Sequence, residues 1–199
     1  MLYGGLSEVE ARDVGVILLA AGQSTRFGPT NKLTASFRGR PLAEHAAETL
    51  SSIPLGARIA VCSEPLPINW QQLGFEELYV ASGGEMSASI AAGVARLQDT
   101  GIESCLIALA DMPFVPSSHF QALINQGPAP VVATSRAGKK IVPARFHREM
   151  WGALQGLRGD AGARALLQDA PAVALADSWL MDIDTEEDLA RFTPPVADG

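Results

Sequence analysis

Val14-Gly15-Val16-Ile17-Leu18-Leu19-Ala20-Ala21-Gly22-Gln23-Ser24-Thr25-Arg26-Phe27-Gly28, followed by Asn31-Lys32-Leu33, decides how this chain is read. An uncharged apolar run ends abruptly in small residues, and two cations, Arg26 and Lys32, come next. That order describes a buried strand feeding a tight loop whose backbone is open to a ligand. Small residues let a main chain approach a ligand closely. Exposed N–H groups beside two cations suit phosphates.

Working outward, Ala57 to Cys62, Leu78 to Ala81 and Cys105 to Leu109 are further apolar runs of strand length. Between them lie two helical stretches. Pro41 to Leu50 carries Pro41 in its first turn, and Ser87 to Leu97 aligns Ile90, Val94 and Leu97 on one stripe. A helix from Pro116 to Asn125 follows. Pro130 to Thr134 and Ile141 to Phe146 are expected as strands around a turn at Gly138. Helices at His147 to Leu157 and Asp160 to Leu167, a strand at Ala172 to Leu175 and a helix at Thr185 to Phe192 complete the reading. Apolar strands alternating with helices predict a mostly parallel sheet covered on both faces. Ligands of such sheets bind beyond the carboxyl ends of the strands, which puts Lys32 and Asp111 on one rim.

The 199 residues suit one domain over 13–193, with an arm at 1–12 and a tail at 194–199. Hydrophobic residues form 47% and charged residues 19%, an ordinary globular balance. A net charge of −7 argues against a nucleic-acid partner, so an anionic ligand needs a local basic site. Cys62 and Cys105 fall in apolar runs and are expected as buried free thiols. The three histidines are scattered and are expected in packing or surface roles. Met1 to Asp13 lacks the basic and apolar regions of a signal peptide, and no apolar run is long enough to span a membrane. The expected setting is a reducing cytoplasm.

The familiar glycine templates fail here. Gly22 and Gly28 have the wrong spacing for a P-loop, Lys32 comes too late, and no G-x-G-x-x-G is present. The stretch Leu19-Ala20-Ala21-Gly22-x-Ser24-x-Arg26-Phe27-Gly28-x-x-Asn31-Lys32-Leu33 instead resembles the signature loop of the MobA-like nucleotidyltransferases. Within that superfamily the chain is most similar to the molybdenum cofactor cytidylyltransferase branch. Later segments agree: Leu109-Ala110-Asp111-Met112-Pro113, Gly83-Gly84-Glu85-Met86-Ser87-Ala88-Ser89-Ile90, Val142-Pro143-Ala144-Arg145-Phe146, Gly159-Asp160-Ala161-Gly162-Ala163-Arg164, and Asp182-Ile183-Asp184-Thr185-Glu186-Glu187-Asp188-Leu189.

The resemblance implies a three-layer α/β/α sandwich and Mg2+-dependent transfer of CMP from CTP to a phosphorylated molybdopterin or molybdenum cofactor, with release of pyrophosphate. It implies Lys32 and Arg26 as catalytic cations and Asp111 and Asp184 as metal ligands. The nucleotide would lie against Leu19, Ala20, Ala21, Gly22, Arg26, Lys32, Gly83, Ser87, Ser89 and Asp111. A molybdoenzyme or its chaperone is the implied protein partner. The chemistry agrees, because a phosphate acceptor needs no strong base, and the barrier lies in joining two anions and stabilising the leaving group. Ala21 stands where the guanylyl branch has glycine, which favours cytidine. Guanylyl transfer to the same cofactor, cytidylyl transfer to a sugar or polyol phosphate, and a non-catalytic nucleotide- or cofactor-binding module are the alternatives. Plain structural roles compete at several positions: Ser87 as N-cap of its helix, Asp160 as N-cap, Asp184 in a capping box with Glu187, and Asp182 as a strand-end carboxylate. Glu85 departs from the family pattern and is expected either to repel triphosphate or to face solvent.

Overall fold

The buried run at Val14 forms the strand it predicts. In a computed structural model, which describes residues 9–22, 27, 31–159, 163–181 and 183–192, β1 (Val14–Ala20) is buried along its whole length. It pairs in parallel with β4 (Ala57–Cys62) on one side and β6 (Ser104–Leu109) on the other. A strand buried on both faces needs no alternation, which is why it reads as a continuous apolar run. Beyond β4 lies β5 (Glu76–Tyr79), two residues earlier than the sequence suggests. Its side chains are mostly exposed at the sheet edge, so hydropathy marks it poorly.

The other half of the sheet departs from the parallel pattern. β7 (Val131–Arg136) and β8 (Lys139–His147) form a hairpin, closed by Ala137 at φ 46° and Gly138 at φ 78°. Two residues with positive φ match the twist of a tight hairpin. β8 then inserts antiparallel between β6 and β7, with Ile107 opposite Ala144. β9 (Ala172–Ala174) adds in parallel to β7. The seven-stranded order is β5-β4-β1-β6-β8-β7-β9. The sheet is therefore mostly parallel, with one reversed strand beside the carboxyl rim. A separate ribbon of β2 (Ser36–Phe37) and β3 (Arg40–Pro41) leads into the first helix and is not foreseen in the sequence.

Helices cover both faces. α1 (Leu42–Ser51) and α3 (Ser117–Ile124) close one core, built on Val16, Leu18, Leu50, Leu106 and Leu123. α2 (Met86–Leu97), α4 (Trp151–Gln155) and α5 (Arg164–Leu167) close the other, on Ile17, Val94, Ile107 and Trp151. α6 (Glu186–Phe192) ends the described chain. Gly93 of α2 is needed where it stands, since a Cβ there would lie 2.5 Å from the Ile17 side chain. The expected helix from His147 is shorter, a 3-10 turn at Arg148–Met150 running into α4. The helix expected from Asp160 is described only as α5, and Asp160 itself lies outside the described residues.

Cys62 and Cys105 are free and buried, and burial pushes both thiols up to about 12. His119 is buried and shares a hydrogen bond of 2.8 Å with Thr134 Oγ1, which donates to the Pro143 carbonyl. His45 packs edge-on against Phe37, and His147 accepts from Glu149 N at a turn. All three are packing or capping residues. Among the described residues no helix is long and apolar enough to cross a membrane.

Candidate active site

Lys32 owes its position to a turn rather than to a strand. Asn31 Oδ1 accepts from Leu33 N at 2.9 Å, and Asn31 Nδ2 donates to Glu64 Oε1 at 2.7 Å. The following Lys32–Thr34 segment is a single 3-10 turn that buries Leu33 in the first core. These contacts leave the Lys32 side chain only 11% exposed, with its ammonium aimed across the carboxyl rim.

Two carboxylates meet it there. Lys32 Nζ donates to Asp111 Oδ2 and to Asp184 Oδ1, each at 2.7 Å, across separations of 79 and 152 residues. Asp111 stands two residues past β6, where Ala110 N donates to the Leu19 carbonyl at 3.1 Å and ties the ends of β6 and β1 together. Asp184 arrives because Ile183 N donates to the Asp111 carbonyl at 3.2 Å, while the Ile183 side chain is buried with Phe27, Phe37 and Leu42. Three remote pieces of chain thus share one point of the rim.

Asp184 does not form the capping box expected with Glu187. The box lies one residue later: Asp188 accepts from Thr185 N, and Thr185 Oγ1 accepts from Asp188 N. This Thr-x-x-Asp arrangement satisfies the first turn of α6 and leaves the Asp184 carboxylate to Lys32. The same bonds hold Asp188 below the usual carboxylate range, chiefly the one from the Thr185 hydroxyl.

Among the described residues, two carboxylates bond this one ammonium. Burial pulls the Lys32 ammonium towards neutrality, but Asp111 and then Asp184 outweigh it, and its pKa stands above the ordinary lysine value. The second Asp111 oxygen, Oδ1, is buried without a hydrogen-bond partner among the described residues. An ionised carboxylate oxygen left bare in this way is costly unless a ligand completes it. Among the described residues no group of three or more His, Cys, Asp or Glu side chains gathers as a metal cage.

The remaining expected site residues divide into groups. Leu19 and Ala20 end β1 and are buried, and Ala21 and Gly22 follow at the rim. A Cβ on Gly22 would meet no described atom within 4 Å, so internal packing does not demand glycine there. Gly83 has φ 78° and serves a turn. Ser87 and Ser89 are buried in the first turn of α2, but Ser87 is not its N-cap, because the helix starts one residue earlier. Among the described residues no hydrogen bond links Gly83, Ser87 or Ser89 to the Lys32 cluster. Arg26 and Asp182 lie outside the described residues.

Glu85 is exposed, as one of the two expectations has it, and its carboxylate is also hydrogen-bonded. Its Oε2 accepts from Gly159 N at 2.7 Å and from Ser87 Oγ at 3.2 Å, and Ser87 N in turn donates to the Gly159 carbonyl. The carboxylate therefore clasps the start of α2 to the loop after α4. Arg145, from a segment resembling the substrate side of the family, is 1% exposed and donates to the Leu123 and Gly127 carbonyls. It belongs to the core, not to the rim.

A mostly parallel sheet with a cation–carboxylate cluster at its carboxyl rim is an α/β fold with a candidate ligand site where such sheets hold ligands. Residues 16–175 match the MobA-like NTP transferase domain, and the chain belongs to that family. It is 31% identical over 189 residues to the purine catabolism protein PucB of Bacillus subtilis (strain 168), covering 86% of this chain and 92% of that one. It is 32% identical over 200 residues to the nicotine blue oxidoreductase of Paenarthrobacter nicotinovorans, covering 88% and 94%. It is 28% identical over 128 residues to a molybdenum cofactor guanylyltransferase of Cereibacter sphaeroides, covering 64% and 65%. Rv0371c of Mycobacterium tuberculosis H37Rv, solved in complex with manganese, has the same fold, with a TM-score of 0.73 at 20% identity over 92% of this chain and 99% of that one. The protein is a MobA-like nucleotidyltransferase.

Proposed function

We propose that this enzyme transfers CMP from CTP to a phosphorylated pterin or molybdenum cofactor and releases pyrophosphate, acting in the cytoplasm. The observation that carries the reading is the meeting of Lys32, Asp111 and Asp184 at 2.7 Å on the rim. Lys32 brings a compact charge to a triphosphate oxygen once it turns from the carboxylates, and Arg26 adds a fork to the same phosphates. That no described atom lies within 4 Å of a Cβ at Gly22 supports close passage of a nucleotide over the backbone at Ala20 to Gly22. Ser87 and Ser89, at the start of α2, face the base in this reading, and the Ser87 hydroxyl, whose proton goes to Glu85, offers its oxygen as an acceptor.

The donor set suits a divalent ion. Magnesium takes one or two carboxylates and keeps water and phosphate in its other positions. Asp111, with its bare buried oxygen, and Asp184 would hold it. Bound there, it would neutralise phosphate charge and ease departure of pyrophosphate. The manganese in Rv0371c supports a divalent ion on this fold.

Guanylyl transfer to the same cofactor is the second reading, favoured by the name of the Cereibacter relative. Pyrophosphate release from each of the four triphosphates, with molybdopterin as acceptor, separates the two. Preference for CTP supports the first reading, and equal or better use of GTP removes it. Nucleotide binding with no pyrophosphate release would favour a binding module.

A further inference from the structure

A second charged feature lies on the same rim. Gly138, Lys139, Lys140, Ile141, Arg164 and Gln168 line a recess of about 460 Å³ between the β7–β8 hairpin and α5. Because β8 runs against β6, its first residues project past the carboxyl end of β6. In the hairpin Lys140 pairs with Ser135 near the carboxyl end of β7, and β7 runs in the same direction as β6. The hairpin end of the recess and the Lys32 cluster therefore lie at the same end of the sheet, although different elements build them.

The charges in the recess are unmatched. Arg12, Lys32, Arg40, Arg96 and Arg136 pair with carboxylates. Arg38, Arg58, Lys140, Arg145, Arg148 and Arg158 donate to backbone carbonyls, and Arg191 lies over the Phe192 ring. Among the described residues, Lys139 and Arg164 are the two cations with no such partner, and both line this recess. Lys140 is held beside them by its bond of 2.6 Å to the Gln168 carbonyl. In a chain of net charge −7, three cations around one concavity, with no described carboxylate bonded to them, focus positive potential locally.

We propose that this recess is an anion subsite on the acceptor side of the reaction centre. It takes a phosphate or comparable oxyanion that the acceptor carries apart from its attacking phosphate, so the acceptor class is a small molecule with two separated anionic groups. Arg164 supplies a planar fork, Lys139 and Lys140 supply point charges, and the Gly138 turn leaves room for the anion to approach the hairpin backbone. The acceptor role rests on the transferase reading above; the anion site itself does not.

The test uses the full-length chain with 15N-labelled backbone amides, titrated with inorganic phosphate in saturating CTP and magnesium. The expected result is saturable shifts of the Gly138 and Gln168 amides. In the Lys139→Gln/Arg164→Gln double variant the midpoint should weaken by about tenfold or more. Both side chains are exposed, so the variant should fold, and nucleotide-induced shifts at Ala21 and Asp111 should be kept. Shifts that never saturate, or that are equal in the variant, overturn the subsite. If CTP displaces phosphate from Gly138 and Gln168, the recess belongs to the nucleotide and the acceptor assignment falls. Absence of any CTP-induced shift in the wild type would defeat the transferase reading, while the phosphate response, then measured without nucleotide, would still judge the recess.

Discussion

Lys32 and Arg145 are both buried cations, and the fold treats them in opposite ways. Arg145, on β8, is held through Nε and Nη2 by neutral carbonyls, with Nη1 buried and unpartnered among the described residues; burial alone pulls its pKa below the ordinary arginine value. Lys32 sits at the rim and is matched by two carboxylates that outweigh its burial. A cation held by backbone carbonyls ties segments together and has nothing to exchange. A cation held by surplus carboxylates can be traded for another cation, and its own charge can then be offered elsewhere. The comparison separates an architectural charge from a working one.

Arg145→Ala should give the largest change. It strips the buried Leu123 carbonyl and the half-buried Gly127 carbonyl of a donor and opens a void, at a cost of about 3–5 kcal/mol. Urea unfolding should show that loss, while the folded fraction keeps its nucleotide KM. A KM change as large as the stability change would erase the distinction. Lys32→Gln should do the reverse. Turnover should fall about 10²-fold, on the scale of one lost transition-state donor, with a smaller shift in the urea midpoint. Manganese titration without nucleotide, read by the paramagnetic signal of the free ion, should show tighter binding in this variant, because the ammonium no longer occupies both carboxylates. Weaker binding would refute the exchange.

A milder probe is Gly22→Ala. A methyl there meets no described atom within 4 Å, so stability should hold while nucleotide affinity drops about tenfold, within the ~1–3 kcal/mol that one methyl commands. Unchanged affinity would move the nucleotide away from that backbone. The smallest effect concerns acid. Burial holds the His119 pKa below the ordinary 6.5. Near pH 6 the unfolded chain therefore takes up a proton that the folded chain refuses. Stability from this group is complete above pH 6.5 and declines as pH falls, by up to about 1.4 kcal/mol per pH unit. Urea midpoints at pH 7.5 and 5.5 should show the decline, and His119→Gln should shrink it. An equal slope in the variant would assign the acid loss elsewhere.

Much of this arrangement is legible in the amino-acid sequence. The Val14 run, the abrupt turn to small residues and Asp111 after an apolar strand place Lys32 and Asp111 on one rim, because parallel sheets gather strand ends there. Glu85 and Asp188 are harder to read. Each acts through one hydrogen-bonding choice among several that its sequence allows, and tertiary packing makes that choice. Moving the cap from Glu187 to Asp188 frees Asp184, and no spacing rule distinguishes the two boxes. The reversed β8 is signalled only by Gly138, since β8 is as apolar in its centre as a parallel strand. Arg145 looks like a ligand-facing arginine in a motif, and burial beneath α3 becomes visible only when the hairpin is folded.

Crystals soaked with CTP and magnesium test the exchange at Lys32 most directly. The account predicts an ion on the Asp111 and Asp184 carboxylates, with the Lys32 amine turned to a phosphate oxygen of the nucleotide. A triphosphate bound elsewhere, with Lys32 still clasped by both carboxylates, would contradict it.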